Sequence, residues 1–191
     1  MHPFPEISTP RLLLRDIQPA DTAAVFALFA NDSVTEFYDV ASFSDMAEAA
    51  QWIASCRSAY PAEGMGGFRW AIALAAAPDT LIGSCGFYAV HPQFCSLAIG
   101  YDLHPAYWGN GYAAEAVRAM LNFCFTRHFP CPVNRVTATT DLGSHKSITL
   151  LRKLGFVEEG VLRQYGYWKG KFHDVRLFSL LQLEWRAGVP R

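Results

Sequence analysis

The sequence predicts a mixed α/β domain whose elements run β-α-α-β-β-β-α-β-α-β-β. Three observations carry that reading. Two pairs of β-rich runs, Phe68 to Leu74 with Leu81 to Tyr88 and Val161 to Trp168 with Phe172 to Gln182, are each joined by a turn signal and read as hairpins. Apolar residues recur at helical spacing in the stretches that separate other strands. A strand ending at Leu103 runs through a glycine-bearing turn into an amphipathic helix. With 191 residues, 51% of them hydrophobic, the chain can bury a core without disulfides or metal. Residues 1–191 are expected to form one domain, with a loose arm at 1–8 and a loose tail at 186–191.

Taken in order, Arg11 to Arg15 reads as a strand, and Asp21 opens a short helix through Val25, Phe26, Leu28 and Phe29. Ser44 is the expected N-cap of a second helix, because Met46, Ala49, Ala50 and Ile53 share a stripe and Asp45 favours the positive helix end. That helix should finish near Tyr60, before Pro61 and the glycines at 64, 66 and 67. The first hairpin is expected to turn at Pro78-Asp79. In the strand from Ser96 to Leu103, alternation places Leu97, Ile99, Tyr101 and Leu103 on one face and Ala98, Gly100 and Asp102 on the other. His104-Pro105 ends it, and a helix from about Ala113 to Arg127 carries Ala116, Val117, Met120, Leu121 and Cys124 on one stripe. Asn134 to Thr140 returns as a strand, and a helix from about His145 to Leu154 is closed by Gly155. The last hairpin turns at Lys169-Gly170-Lys171.

Charge narrows the partners. With 16 basic and 17 acidic residues, a net charge of −1 and no long run of one sign, the chain lacks a footprint for nucleic acid or an anionic membrane, so a small molecule or a protein end is the expected partner. No apolar stretch approaches the ~18 residues of a membrane span. The five cysteines are scattered without metal-site spacing, which with the absence of a signal-like N-terminus implies reduced thiols, a cytoplasmic setting and no metal.

Trp108-Gly109-Asn110-Gly111-Tyr112-Ala113-Ala114-Glu115-Ala116 is the segment with chemical content. Strand, glycine turn and helix together form an anion site, since glycines allow close backbone approach and the first helical N–H groups have no internal partner. A Walker loop would need Gly-Lys-Ser/Thr, and Ala114 stands where a dinucleotide fingerprint needs its third glycine. The segment resembles motif A of the GNAT acyltransferase superfamily, with Gly111 and Ala113 at its last two positions. Trp108 in place of Arg/Gln is similar to the RimJ/RimL-like branch. Thr9-Pro10-Arg11-Leu12 with Arg15, Trp70-Ala71-Ile72, Ile82-Gly83, Lys153-Leu154-Gly155-Phe156, Glu159-Gly160 and His173-Asp174 resemble that branch in the same order.

The resemblance implies an N-acetyltransferase with a central, splayed, mostly antiparallel sheet flanked by helices, using acetyl-coenzyme A and no metal. It implies that the strands at 96–103 and 134–140 diverge around the pantetheine arm, and that the pyrophosphate meets the N–H groups of Gly109, Asn110, Gly111, Tyr112 and Ala113 after Trp108. Leu103 and His104 would line the cofactor, and a backbone N–H near Asp102 or Leu103 would polarise the thioester carbonyl for direct attack by a primary amine. Ser147 would hydrogen-bond the departing thiolate or merely support a helix start. Ser144 stands where the branch has Asn and either reaches the cofactor or caps the helix. Lys146, Arg152 and Lys153 are candidates for the ribose phosphate.

Ala98 occupies the position where many relatives carry Glu, which removes the usual base. His91, His104 and His173 are substitutes to weigh, whereas Glu115, inside the first helical turn, suits dipole and packing support. Phe37, Tyr38, Trp70, Phe87, Tyr88, Tyr165, Tyr167 and Trp168 lie in segments expected near the acceptor cleft, and Glu36, Asp39 and Asp174 are candidates to attract an ammonium group. The acceptor is a protein N-terminal α-amine or a small-molecule amine, and the protein a monomer or homodimer. The rival reading is a catalytically silent acyl-coenzyme A sensor or partner-binding module of the same fold.

Overall fold

The computed structural model describes residues 4–58, 67–126 and 129–186. Its strands are β1 (Ile7–Ser8), β2 (Leu12–Asp16), β3 (Phe68–Leu74), β4 (Ala77–His91), β5 (Ser96–Leu103), β6 (Arg135–Asp141), β7 (Val157–Trp168) and β8 (Lys171–Leu181). The helices are α1 (Thr22–Phe29), α2 (Asp32–Thr35), α3 (Met46–Ser58), α4 (Tyr112–Phe125), α5 (His145–Lys153) and α6 (Gln182–Arg186). The strands form one sheet in the order β1-β2-β3-β4-β5-β6-β8-β7. Every neighbouring pair is antiparallel except β5 and β6, which are parallel.

That parallel pair places the site. Register holds only at Ser96↔Arg135, Leu97↔Val136 and Ala98↔Thr137, although β5 runs on to Leu103 and β6 to Asp141. The strands therefore separate beyond Ala98 and leave a wedge between them. Helices cover the two faces unequally. Val117, Met120 and Leu121 of α4 and Ile148 and Leu151 of α5 pack with Trp70, Leu97, Ile99 and Val136 on one face. On the other face, Val25, Leu28 and Phe29 of α1 and Ile53 of α3 pack with Ala71 and Leu81. Alternation sends Trp70 and Ala71 of β3 to different cores. Each fully buried large side chain contributes roughly 1.5–3 kcal/mol of transfer free energy, so the α4 stripe is what pins the glycine turn against the sheet.

Several elements depart from the sequence reading. The first hairpin turns at Ala75-Ala76, and Pro78 and Asp79 lie inside β4, where the register shifts between Ala73↔Leu81 and Leu74↔Ala77. A bulge tolerates the missing proline N–H that a regular ladder would not. Asp45, rather than Ser44, caps α3: its Oδ1 accepts from Ala47 and Glu48 N–H at 2.7 and 3.1 Å, while Glu48 reaches back to the Ser44 N–H at 2.5 Å. Residues 4–8, expected to be loose, are held. β1 pairs with β2, the Trp70 Nε1–H donates to Pro5 O at 2.6 Å, and Phe4 packs edge-on to Phe68. The α3 end near Tyr60, Arg127 and the tail beyond 186 lie outside the described residues. All five cysteines are free, and burial pushes the Cys56 thiol up to about 11 and Cys85 to about 12.

Candidate active site

After Leu103 a 3-10 turn over Pro105–Tyr107 leads to Trp108 and then to two glycines with φ of +79°, Gly109 and Gly111. This left-handed backbone is where glycine is needed. Gly111 is the N-cap of α4 and has no side-chain cap, so the first N–H groups of the helix face outward for an anion. A Cβ at Gly109 would meet nothing within 4 Å, which leaves the approach open. Asn110 braces the turn from within, its Nδ2 donating to Tyr107 O and Trp108 O at 3.3 and 3.1 Å.

Arg11, a residue the sequence reading gave no role in the site, lies against this turn. Its Nη1 donates to Asn110 O at 2.9 Å, its Nε to Glu115 Oε2 at 2.6 Å, and its guanidinium stands 4.8 Å from the Tyr112 ring centre. Thr9 Oγ1 also donates to Glu115, at 2.6 Å. Partial burial works to raise the Glu115 carboxyl, but the Thr9 and Arg11 hydrogen bonds outweigh it and hold the group below the usual carboxylate range. Glu115 is therefore an ionised anchor, and the Thr-Pro-Arg-Leu motif is the signal that marks its partner.

Trp108 shows what replaces an Arg or Gln. Its indole Nε1–H donates to Leu103 O at 2.7 Å, and Lys146 Nζ sits 3.8 Å over its ring, joining the turn to the first turn of α5. His104, at the head of the turn, is tied into it through its backbone N–H and its Nδ1. Its N–H donates to Ile82 O at 2.8 Å, and its Nδ1 accepts from Ala106 N–H at 3.3 Å. Because His104 N–H points at β4, alternation turns the Leu103 and Tyr101 peptide groups the other way, into the wedge. Of the two backbone candidates Leu103, not Asp102, thus presents its N–H to the opening.

Across the wedge stands α5. The Tyr101 hydroxyl donates to Ser147 O at 3.4 Å, which brings Ser147 opposite β5. Ser144 occupies the N-cap position, but its hydroxyl makes no cap hydrogen bond, so the capping alternative does not hold. Lys153 lies at the other end of α5, roughly 10 Å of helix rise from Lys146, apart from the glycine turn. Arg152 is paired with Glu158 at 2.7 Å.

The opposite face of the wedge is built by side chains. Ala98 lies in a cavity of about 180 Å³ with Tyr88, His91, Thr137, Thr139 and Tyr165. Asp102, on the same face, is sealed: its side chain is 0% exposed. Its carboxylate accepts from Ser84 N–H at 2.9 Å, from Ser84 Oγ at 2.9 Å and from the Arg69 guanidinium. Tyr38 donates to Tyr101 O at 3.0 Å and approaches Asp102 Oδ2 at 3.4 Å. Trp70 and Phe87, expected near the cleft, are core. His173 stacks on Trp168, and its two ring nitrogens face Trp168 O at 3.1 Å and Asp141 Oδ2 at 3.6 Å. Asp174 accepts from Gln164 N–H at 2.7 Å. Of the three histidines considered as bases, only His91 lines the cavity that holds Ala98. Among the described residues no group of His, Cys, Asp or Glu side chains converges to hold a metal ion.

Residues 11–157 match the acetyltransferase (GNAT) domain. The chain is 34% identical over 179 residues to the uncharacterised N-acetyltransferase YoaA of Bacillus subtilis (strain 168), covering 94% of this chain and 98% of that one. It is 33% identical to the uncharacterised N-acetyltransferase p20 of Bacillus licheniformis, covering 93% and 96%. Among solved structures it resembles a GNAT-family acetyltransferase from Bacillus anthracis (TM-score 0.81, 21% identity, 94% of this chain and 100% of that one). It also resembles RimL, the ribosomal L7/L12 alpha-N-protein acetyltransferase, in complex with coenzyme A (TM-score 0.79, 19% identity, 93% and 98%).

Proposed function

The chain belongs to the GNAT acetyltransferase family and is an acyl-coenzyme A-dependent N-acetyltransferase, and from that premise we propose that one domain acetylates a primary amine of modest basicity by direct attack on the thioester. The observation that carries this reading is the wedge between β5 and β6 running up to the uncapped turn at Gly109–Gly111. An extended arm fits beside the free edge of β5, and a pyrophosphate fits the outward N–H groups and the open side of Gly109. Acetyl-coenzyme A supplies an activated acyl carbon. The N–H of Leu103 polarises its carbonyl, the turn from Trp108 through Ala113 holds its phosphates, and Ser147 meets the departing sulfur. Ser144 lies beside the arm, Lys146 bears on the phosphates beside Trp108, and Lys153, at the far end of α5, bears on the ribose phosphate.

No carboxylate stands at Ala98, so the acceptor must arrive largely neutral. An α-amine, with a pKa of about 7.7–8.0, does so near neutral pH, and a lysine amine at about 10.4 does not. This favours a protein N-terminus or a weakly basic small-molecule amine. RimL, named for its action on a ribosomal α-amine, is a structural neighbour consistent with that class. Among the described residues no helix is long and apolar enough to cross a membrane.

The test is thiol release from acetyl-coenzyme A with a panel of amines, followed by pH profiles for two acceptors of different pKa. Turnover is expected, with each rising limb tracking its own amine. Cofactor binding without turnover on any amine would favour the sensor reading. A single rising limb shared by both amines would indicate a protein base and end the base-free mechanism, and His91, which lines the cavity with Ala98, would be the first residue to substitute.

A further inference from the structure

Tyr38 lies in the loop between α2 and α3, its ring packed edge-on to Phe29 with centroids 6.1 Å apart. From there the hydroxyl crosses to the reacting strand. It donates to Tyr101 O at 3.0 Å and faces Asp102 Oδ2 at 3.4 Å. Both partners are acceptors, so its single proton is committed and the oxygen's lone pairs remain for an incoming donor. Tyr101 O lies on the edge of β5 that opens into the wedge, two residues before the Leu103 N–H and within about 7 Å of it along an extended strand. A nucleophile that approaches a carbonyl held by Leu103 from the Tyr38 side would come within reach of that oxygen.

We infer that Tyr38 orients the acceptor amine, its phenol oxygen accepting one N–H of the nucleophile so that the nitrogen lone pair points at the acyl carbon. The inference rests on the acetyl-transfer reading above and adds the residue that positions the second substrate. Asp102 and Arg69 act through Tyr38. The Asp102 carboxylate, clamped by Ser84 and Arg69, fixes where the phenol proton points. Burial, with the Asp102 charge second, drives the Tyr38 hydroxyl well above its ordinary value, so the group stays protonated across the working range and orients without accepting a proton. In the transfer the C–N bond forms, the C–S bond breaks with its electron pair leaving on sulfur, and the surplus proton of the amine passes to water. The phenol proton stays where it is.

Tyr38→Phe keeps the ring against Phe29 and removes only the hydroxyl. The expected result is a ten- to hundredfold fall in kcat/KM for the amine, carried by both a higher amine KM and a lower kcat. Affinity for acetyl-coenzyme A by calorimetry and the thermal midpoint should stay within error of the wild type. Amine affinity measured by calorimetry with coenzyme A present should fall by about tenfold, a readout independent of turnover. Unchanged kcat/KM would overturn the inference. So would a loss of acetyl-coenzyme A affinity that accounts for the whole effect, since the hydroxyl would then brace β5 and not the amine. If the wild type binds acetyl-coenzyme A but turns over no amine, the acetyl-transfer reading fails and this inference goes with it.

Discussion

The two sides of the wedge are made of different materials. On the side proposed to receive the phosphates, the groups on offer are backbone N–H groups in one continuous stretch, shaped by Gly109 and Gly111 and braced by Asn110 and Trp108. On the acceptor side they are side chains gathered from separate segments: Tyr38 from a loop, Arg69 from β3, Ser84 and Tyr88 from β4, Asp102 from β5 and Thr139 from β6. A site made of backbone depends on local conformation and tolerates changes in most surrounding side chains. A site made of buried charges depends on every partner at once, and losing one partner damages the fold as well as the chemistry.

The largest expected effect is therefore on the acceptor side. Asp102→Ala leaves the Arg69 guanidinium, only 20% exposed, without its carboxylate partner. Breaking a buried pair in this way costs about 3–5 kcal/mol, which for a chain of this length lowers the thermal midpoint by roughly 6–20 °C. Thermal unfolding followed by circular dichroism checks it. A drop of only a degree or two would mean that the network is not a brace, and the contrast between the two sides would lose half its basis.

Gly111→Val probes the backbone side. Valine at φ +79° is strained, by about 1–3 kcal/mol, but its Cβ would only touch Arg11 Nη2 at 3.5 Å, so the protein should still fold. Coenzyme A affinity should fall at least about a hundredfold, because the branched side chain stands over the N–H groups. Calorimetry decides. Unchanged affinity in the folded variant would remove the phosphate site from this turn. Smaller again is Ser147→Ala: a hydroxyl bond to a departing thiolate is worth about 1–3 kcal/mol and the thiolate can leave unaided, so kcat should fall by no more than about a hundredfold. Complete inactivity with normal cofactor affinity would show that Ser147 carries more than one hydrogen bond to sulfur.

The same contrast explains what could be read in advance. The glycine turn, the α4 stripe from Ala116 to Cys124 and the Gly155 stop were legible because their determinants are neighbours in sequence. Pro78-Asp79 misled because a turn dipeptide looks the same whether it makes the turn or sits in a bulge beside it. Ser44 and Asp45 could not be told apart as caps from composition, since either side chain can accept. Arg11, and the joint role of Tyr38, Arg69 and Asp102, stayed hidden for another reason. Arg11 meets Glu115 across 104 residues and Arg69 meets Asp102 across 33, so local spacing shows neither pairing, although the Thr-Pro-Arg-Leu motif marks the segment that holds Arg11.

The smallest effect separates the two braces by their exposure. Asp102 is sealed, whereas Glu115 is 17% exposed and its partner Arg11 49% exposed, so the brace of the phosphate side can be titrated from solution. The Glu115 carboxyl is held below its ordinary value in the folded protein, which means the unfolded chain takes up its proton first as pH falls. The stability it adds is thus fully present above the ordinary glutamate value of about 4.3 and is lost as pH drops through the lower folded value. Glu115→Gln keeps an oxygen for the Thr9 hydroxyl and the Arg11 backbone N–H, but removes the charge and leaves an NH2, which cannot accept, facing the Arg11 guanidinium. At neutral pH the variant should be less stable by about 1 kcal/mol or less, since solvent and salt screen a pair this exposed, and its thermal midpoint should lie a few degrees below the wild type. Between about pH 5 and pH 3 the two midpoints should converge. If the gap instead stayed constant down to pH 3, the carboxylate charge would contribute nothing, and the hold of Glu115 on Thr9 and Arg11 would rest on hydrogen-bond geometry alone.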